Sequence, residues 1–193
     1  MRHDRTIRIM HIFIILTVFT QLLTELFMQV PKPGESMDKL TGLIFSAHEI
    51  MGMVVLIIMI IYLMIVGDNE QHRNRLFPWL LPEGRTGLIT EFKRDVPGWF
   101  KGTLAKPEDA HLIAGSVHGL GVILVFLLGL TGCIIYLGMK HDGSMPPAIK
   151  SIRELHELLG TLLWIFIIGH LLMAAAHQFK GHRVLQGMFG GEK

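Results

Sequence analysis

Four long apolar segments follow one another along the chain, at residues 7–28, 40–66, 112–139 and 153–177. A helix that crosses a hydrocarbon core of about 30 Å needs about 20 mostly apolar residues. The third segment carries no charged residue, and the apolar part of the fourth, 158–176, holds a single ionisable side chain, His170. The pattern predicts an all-α integral membrane protein whose four transmembrane helices form one bundle and one domain over residues 1–193.

The first segment is the most polar of the four. It contains His11, Gln21 and Glu25, and its basic start is also typical of a signal peptide. A signal peptide would need a small-residue cleavage site after its apolar stretch, and none follows. We therefore expect this segment to be retained as a transmembrane helix.

The segment 67–111 is too long to be a simple turn between the second and third spans. Its residues 86–104 mix apolar side chains such as Phe92 and Trp99 with basic ones such as Lys93. An amphipathic helix of this kind can lie in the headgroup layer, although Pro97 would interrupt it. A solvated loop explains the same residues equally well, so the sequence leaves both structures open.

Basic residues predict the orientation, since Lys and Arg favour the cytoplasmic face. The two termini and the 67–111 segment carry thirteen of them, and the opposite face carries five. The termini alone contribute six, including Arg183 and Lys193 in the tail. The expected protein is thus a multi-pass protein of the bacterial inner membrane with both termini in the cytoplasm.

The composition leaves histidine as the main residue type that could bind a metal or a haem. Half of the residues are apolar and the mean hydropathy is +0.46, which a soluble surface would not tolerate. The single cysteine, Cys133, lies in an apolar run, so one chain cannot form a disulfide or an iron–sulfur cluster. The absence of a Cys-x-x-Cys-His motif excludes covalently attached c-type haem. Eleven histidines remain as the main candidate ligands.

Histidines within the spans fall at two depths. An ionisable group in a membrane span is costly and usually has a function. With the termini in the cytoplasm, His11, His118 and His170 lie toward the cytoplasmic ends of their helices, whereas His48 and His156 lie toward the opposite face.

The fourth span carries one histidine at each depth, His156 and His170. Fourteen residues place the two side chains about 21 Å apart along one helix and only about 40° apart around it. Neutral imidazole binds haem iron axially, and a four-helix bundle can hold a porphyrin between facing helices. We therefore expect two non-covalent b haems, one at each depth.

Glycines lie one helical turn beyond two of these histidines. Gly52 follows His48 by four residues and Gly160 follows His156 by four, where a larger side chain would collide with a porphyrin. Gly115 and Gly121 flank His118 in the same way. Close packing of helices through small residues explains any single glycine better, but the repetition favours the haem site.

Three histidines, His11, His118 and His170, are expected at the cytoplasmic level, but one haem iron has only two axial positions. His118 is the third of them. We expect it to bond a propionate, a quinone or a neighbouring helix instead. His177 is expected at the headgroup level. The other histidines lie in predicted loops or tails and are expected to be solvated: His3, His72, His111, His141 and His182.

Several stretches resemble the bacterial cytochrome b561 family of di-haem, four-helix membrane cytochromes b. The fourth span, LHELLGTLLWIFIIGHLLMAAAHQF, repeats the histidine spacing of that family's last helix. RHDRTIRIMHIF and SAHEIMG are similar to its first and second ligand segments. The tail FKGHRVLQGMFGGEK is similar to the related cytochrome b subunits of formate dehydrogenase and nickel–iron hydrogenase. Two features depart from the family: the longer 67–111 segment and Ile12 in place of tryptophan after the first ligand.

The resemblance implies a ligand set. His11 and His170 would bind the haem on the cytoplasmic side, and His48 and His156 would bind the outer one, in agreement with the two depths. It also implies electron exchange with quinones, whose contacts vary within the family.

Other polar residues lie near the two expected haems. Arg8 and Lys180 are close to the cytoplasmic level and could contact propionates or a quinone head, although anchoring at the membrane interface explains both equally well. On the outer side, Glu49, Glu154 and Glu157 could accept protons from a quinol or cap a helix.

The predicted function is transfer of electrons between the quinone pool and a redox partner or a small molecule such as superoxide. One alternative is a membrane-anchor cytochrome b subunit of a multi-subunit dehydrogenase or hydrogenase. A second is a haem-free, histidine-rich transporter of metal ions or protons. The expected partners are the lipid bilayer, a quinone and a redox partner subunit, without nucleic acid, and the oligomeric state stays open.

Overall fold

The computed structural model of the chain describes residues 5–33, 36–99, 101–106, 109, 111–140, 142–182 and 186. The histidines at positions 3 and 141 and the basic residues Arg183 and Lys193 lie outside these residues. The helices are α1 (Arg5–Phe27), α2 (Lys39–Asp68), α3 (Glu70–Leu76), α4 (Pro82–Trp99), α5 (His111–Gly138) and α6 (Pro147–Phe179), with a 3-10 turn at Pro78–Leu80.

Four of these helices are long and apolar enough to cross a membrane. They are α1, α2, α5 and α6, with 23, 30, 28 and 33 residues. Large apolar side chains on their outer faces are exposed, such as Phe19 at 59% and Leu137 at 77%. A surface of this kind is stable in contact with lipid tails and not with water. The prediction of an all-α protein with four membrane helices is confirmed.

The described residues form two compact units. One comprises residues 9–61 and 123–164, and the other comprises 1–8, 62–122 and 165–193. Helices α2, α5 and α6 each contribute residues to both units.

The unit of residues 9–61 and 123–164 has an apolar core to which four helices contribute. Its buried side chains are Val18 and Leu22 of α1, Val55 and Met59 of α2, Val125 of α5, and Leu159 and Leu163 of α6. Helices α2 and α5 approach closely at Gly129, where an added Cβ would lie 3.1 Å from the Cβ of Leu56. Small residues permit this close approach in membrane helices.

The other unit packs the short helix α3 against the start of α5. A Cβ at Gly115 would lie 2.0 Å from the carbonyl oxygen of Arg75, and one at Gly119 would lie 2.1 Å from that of Leu76. Only glycine fits backbone contacts this close. Gly115 therefore permits the close packing of two helices, which was the alternative to a haem-site role in the sequence analysis.

The sequence left open whether residues 86–104 form an amphipathic helix or a loop, and the structure has a helix there, α4. It begins with Pro82 at the first helical position after an extended Leu81, an arrangement that proline favours. It continues through Pro97 and ends at Trp99, so the proline lies in the last turn and does not break the helix. Its location in the headgroup layer stays a prediction.

Helix α4 carries two buried carboxylates, Glu91 and Asp95, and Glu91 joins it to α5. Glu91 accepts hydrogen bonds from the backbone N–H groups of Leu112 and Ile113, at 3.1 and 3.0 Å. These are unsatisfied donors at the N-terminus of α5, so Glu91 caps a membrane helix from a neighbouring one. Asp95 accepts hydrogen bonds of 2.6 and 2.8 Å from Arg94, and these lower the pKa of its carboxyl.

Weakening this cap should loosen the contact between α4 and α5. We expect Glu91→Gln to lower the free energy of unfolding by about 1–2 kcal/mol, because the amide oxygen can still accept the two hydrogen bonds but no longer brings a negative charge to the N-terminus of α5. The measurement is the apparent melting temperature of the purified protein in detergent. Glu83→Gln on the exposed part of the same helix is the control, and equal shifts in the two variants would contradict the capping role.

Candidate functional site

His48 and His156 lie together in the unit of residues 9–61 and 123–164. Their ring centres are 6.5 Å apart and the ring planes are nearly perpendicular, at 84°. His48 comes from the first half of α2 and His156 from the first half of α6. Two helices that are distant in sequence thus present imidazoles to each other within one apolar unit.

Threonine hydroxyls contact both rings on the Nδ1 side. The Oγ1 of Thr24 is 3.0 Å from Nδ1 of His48, and the Oγ1 of Thr131 is 2.8 Å from Nδ1 of His156. Gln21 also donates a hydrogen bond of 2.9 Å to the backbone oxygen of His48. Each ring is therefore held at one nitrogen, and Nε2 is the remaining nitrogen for a ligand.

The spacing of this pair fits an iron bound by two histidines. A metal–nitrogen bond is about 2 Å and a ring centre lies about 1 Å beyond the nitrogen, so two axial imidazoles have centres roughly 6 Å apart. The observed 6.5 Å matches that requirement. His48 and His156 therefore have the donor type and the separation needed to hold a haem iron.

Three glycines lie near this pair along the chain or in space: Gly52, Gly132 and Gly160. A Cβ added at Gly160 meets no atom within 4 Å, and the role of this glycine beside a porphyrin stays a prediction. A Cβ at Gly52 would lie 3.0 Å from Nε2 of Gln21, so this glycine also gives room to the amide that holds His48. Gly132 of α5 does the same for the ring of His156, since a Cβ there would lie 3.2 Å from Cε1.

A second pair, His118 and His170, lies in the unit of residues 1–8, 62–122 and 165–193. The ring centres are 5.1 Å apart and the planes meet at 87°. Phe166, one turn before His170, stacks on its ring with centres 5.6 Å apart and planes at 13°. Gly121 makes room for this phenylalanine, because a Cβ there would lie 2.3 Å from its ring.

The His118–His170 pair is too close for one iron to lie between the two rings. Its 5.1 Å separation is below the roughly 6 Å that two axial imidazoles need. The Nδ1 of His118 donates a hydrogen bond of 2.6 Å to the carbonyl oxygen of Ala114, which can only accept. This geometry supports the expectation that His118 is a neighbour of a ligand and not a ligand itself.

The other predicted site residues lie in α1 and at the end of α6. His11 is a half-buried residue of α1 in the unit of residues 9–61 and 123–164, and Arg8 belongs to the other unit. Lys180 is exposed just after the last turn of α6, where its N–H bonds the oxygen of Ala176.

Two histidines expected to be solvated are not. His182 lies 2.8 Å from His177, Nδ1 to Nδ1, because the chain turns back after α6 through Gly181 at a positive φ of 82°. His72 is half-buried in α3. The expectation of a solvated loop was wrong for His72, which lies in α3; His182 does lie in the tail after α6, but its ring is half-buried against His177. His111 is exposed, as expected.

A model of the family described as prokaryotic cytochrome b561 matches residues 2–191, nearly the whole chain. The chain belongs to this family. No curated protein and no solved structure gives a match. The resemblance seen in the histidine segments is thereby confirmed, and the cytochrome is a multi-pass, inner-membrane electron carrier that binds haem b.

Sequence reasoning missed several residues that shape the sites of this cytochrome. Thr24, Thr131 and Gly132 surround the rings of His48 and His156, and Phe166 covers His170. For Phe166 the sequence did offer a signal, because a residue four positions before His170 lies on the same face of the helix. The threonines carried no such signal, since each contacts a histidine of a different helix.

Proposed function

We propose that this cytochrome carries electrons between the quinone pool and a redox partner or a small molecule such as superoxide, using two b haems. The observation that carries the proposal is the His48–His156 pair, whose ring centres, 6.5 Å apart, would allow both imidazoles to hold one haem iron. Haem supplies one-electron uptake and release at its iron when bound.

The second haem is proposed for His11 and His170. This pairing rests on the family resemblance and on the depths at which the two residues occur in the sequence. The 5.1 Å contact of His118 with His170 supports it indirectly, because it argues against His118 as the opposite ligand. Helix α6 then contributes one ligand to each haem, from His156 and His170.

The chain's own residues provide ligands, a low-dielectric surround and sites for protons. Oxidation of a quinol releases protons, and a carboxylate can accept one. Of the outer carboxylates, Glu157 lies 3.3 Å from Arg153, four residues earlier, so an ion pair on the helix surface already engages it. Glu49 and Glu154 are the better candidates for this role.

The cytoplasmic level is proposed for the quinone head or the haem propionates. Arg8, His118 and Lys180 supply cations and a hydrogen-bonding imidazole there. The orientation with both termini in the cytoplasm rests on the distribution of basic residues.

The test of the proposal is haem content followed by electron transfer. We expect the purified chain to contain about two haems by pyridine haemochrome, and superoxide to reduce them in a reaction that passes electrons on to an added quinone. A stoichiometric second protein in the preparation, with no quinone reduction by the isolated chain, would favour the membrane-anchor subunit instead. A colourless preparation without a Soret band would reject the proposal and favour the haem-free transporter.

A further inference from the structure

We propose that Thr24 and Thr131 are positioning residues that fix the imidazoles of His48 and His156 in one tautomer, with the proton on Nδ1 and the lone pair on Nε2. The inference rests on the proposed haem site between these histidines. It assigns a role to two hydroxyls that lie on different helices and contact one site from both sides.

Counting hydrogens at Thr131 gives the tautomer of His156. The hydroxyl has one hydrogen, and its Oγ1 lies 2.8 Å from the carbonyl oxygen of Leu127 and 3.1 Å from that of Leu128. Carbonyl oxygens only accept, and two oxygens 2.8 Å apart with no hydrogen between them would repel each other, so the single hydroxyl hydrogen is directed to these carbonyls. The contact of 2.8 Å between Oγ1 and Nδ1 of His156 then needs a hydrogen from the ring.

The same count applies to Thr24 on α1. Its Oγ1 lies 3.0 Å from the carbonyl oxygens of both Thr20 and Gln21, so its hydrogen is also directed to the backbone. The remaining contact, 3.0 Å to Nδ1 of His48, again requires the ring to donate. The opposite tautomer would set two acceptors against each other at hydrogen-bond distance in both places.

Both rings therefore present a lone pair at Nε2. A neutral imidazole has one N–H and one lone pair, and the lone pair is the atom that binds a metal. Hydrogen bonds from the other ring nitrogen fix the tautomer and ring orientation of a ligand histidine and raise its basicity. A more basic ligand favours the ferric state, so the two threonines should lower the reduction potential of the haem at this site.

The threonines also set the rotation of the rings. Each hydroxyl is tied to its own helix by the bond to the preceding turn, so the Nδ1 contact holds the ring at a fixed angle. The 84° between the two ring planes is the result. The g-values of a ferric low-spin haem report such an angle, which gives a readout separate from activity.

The test is Thr131→Val, which keeps the side-chain shape and removes the acceptor. We expect one haem to become easier to reduce, with its ferrous-to-ferric ratio at a fixed potential rising by up to about tenfold, which corresponds to 59 mV for one electron. Its g-values should shift as well. The measurements are a potentiometric titration and electron paramagnetic resonance of the full-length, haem-loaded protein.

Two control variants separate positioning from general damage. Thr131→Ser keeps the hydroxyl and should restore the original potential and g-values. Thr20→Val removes a hydroxyl of α1 that bonds Leu16 at 2.9 Å in the same way but has no hydrogen bond to a histidine, and it should change neither readout.

A second substitution keeps the proposal testable if Thr131→Val does not assemble. Thr24→Val acts through His48 and should shift the same haem in the same direction. Unchanged potential and g-values in either assembled valine variant would overturn the proposal, as would an equal shift in Thr131→Ser or Thr20→Val. Failure of the haem site itself is recognised separately, because His156→Ala would then leave the haem content unchanged.

Discussion

The His156→Ala variant is expected to lose one haem and to retain the other. His156 is one of two imidazoles at a spacing that suits a single iron, and alanine supplies no replacement ligand. We expect pyridine haemochrome to show a fall of about half in haem per chain, and His48→Ala to give the same spectrum. The haem that remains should be low-spin.

The control for this experiment is His111→Ala. His111 is an exposed histidine at the start of α5, outside both histidine pairs, and its removal should leave the haem content unchanged. Full haem content in His156→Ala would reject the assignment of the ligands. Loss of both haems from a protein that keeps its helical circular dichroism would show that the two sites do not load independently.

A comparison of His11→Ala with His118→Ala is expected to give opposite results. His11 is the proposed ligand opposite His170, so its removal should cost the cytoplasmic-side haem and lower haem content by about half. His118 lies 5.1 Å from His170, ring centre to ring centre, and bonds its own helix at Ala114, so its removal should leave both haems bound.

The reverse outcome would change the ligand set. If His118→Ala lost a haem and His11→Ala did not, His118 and His170 would have to separate to admit the iron. A His170→Ala variant gives the reference spectrum for the empty site, against which either single variant can be compared. Phe166→Leu, which removes the ring stacked on His170 but no ligand, should retain haem.

Much of the fold was predictable because a membrane span is a strong sequence signal. Four helices were found where the apolar segments predicted them, with ends that differ by a few residues, as at α6, which begins at Pro147. The 67–111 segment was harder, since its amphipathic pattern suits a helix or a loop. The contact that distinguishes them, Glu91 with the first turn of α5, joins residues twenty or more positions apart.

For the candidate sites, the sequence predicted the level of each histidine along its helix but not the contacts that its side chain makes. Counting residues along a helix gives the level of His48 or His170, because the rise per residue is constant. It does not give the rotation of one helix against another, and that rotation brings His118 beside His170. For the same reason the roles of Thr24 and Thr131 are visible only in three dimensions.

One uninterrupted helix, α6, carries both His156 and His170. Each residue inserted between them would rotate the second imidazole by about 100° and move it about 1.5 Å along the axis. The interval can therefore change in length only in steps close to whole turns if both side chains are to keep facing the same side. Insertions are tolerated more readily in the connections between spans, such as the 67–111 segment, because no two ligands there have to keep a fixed angle to each other.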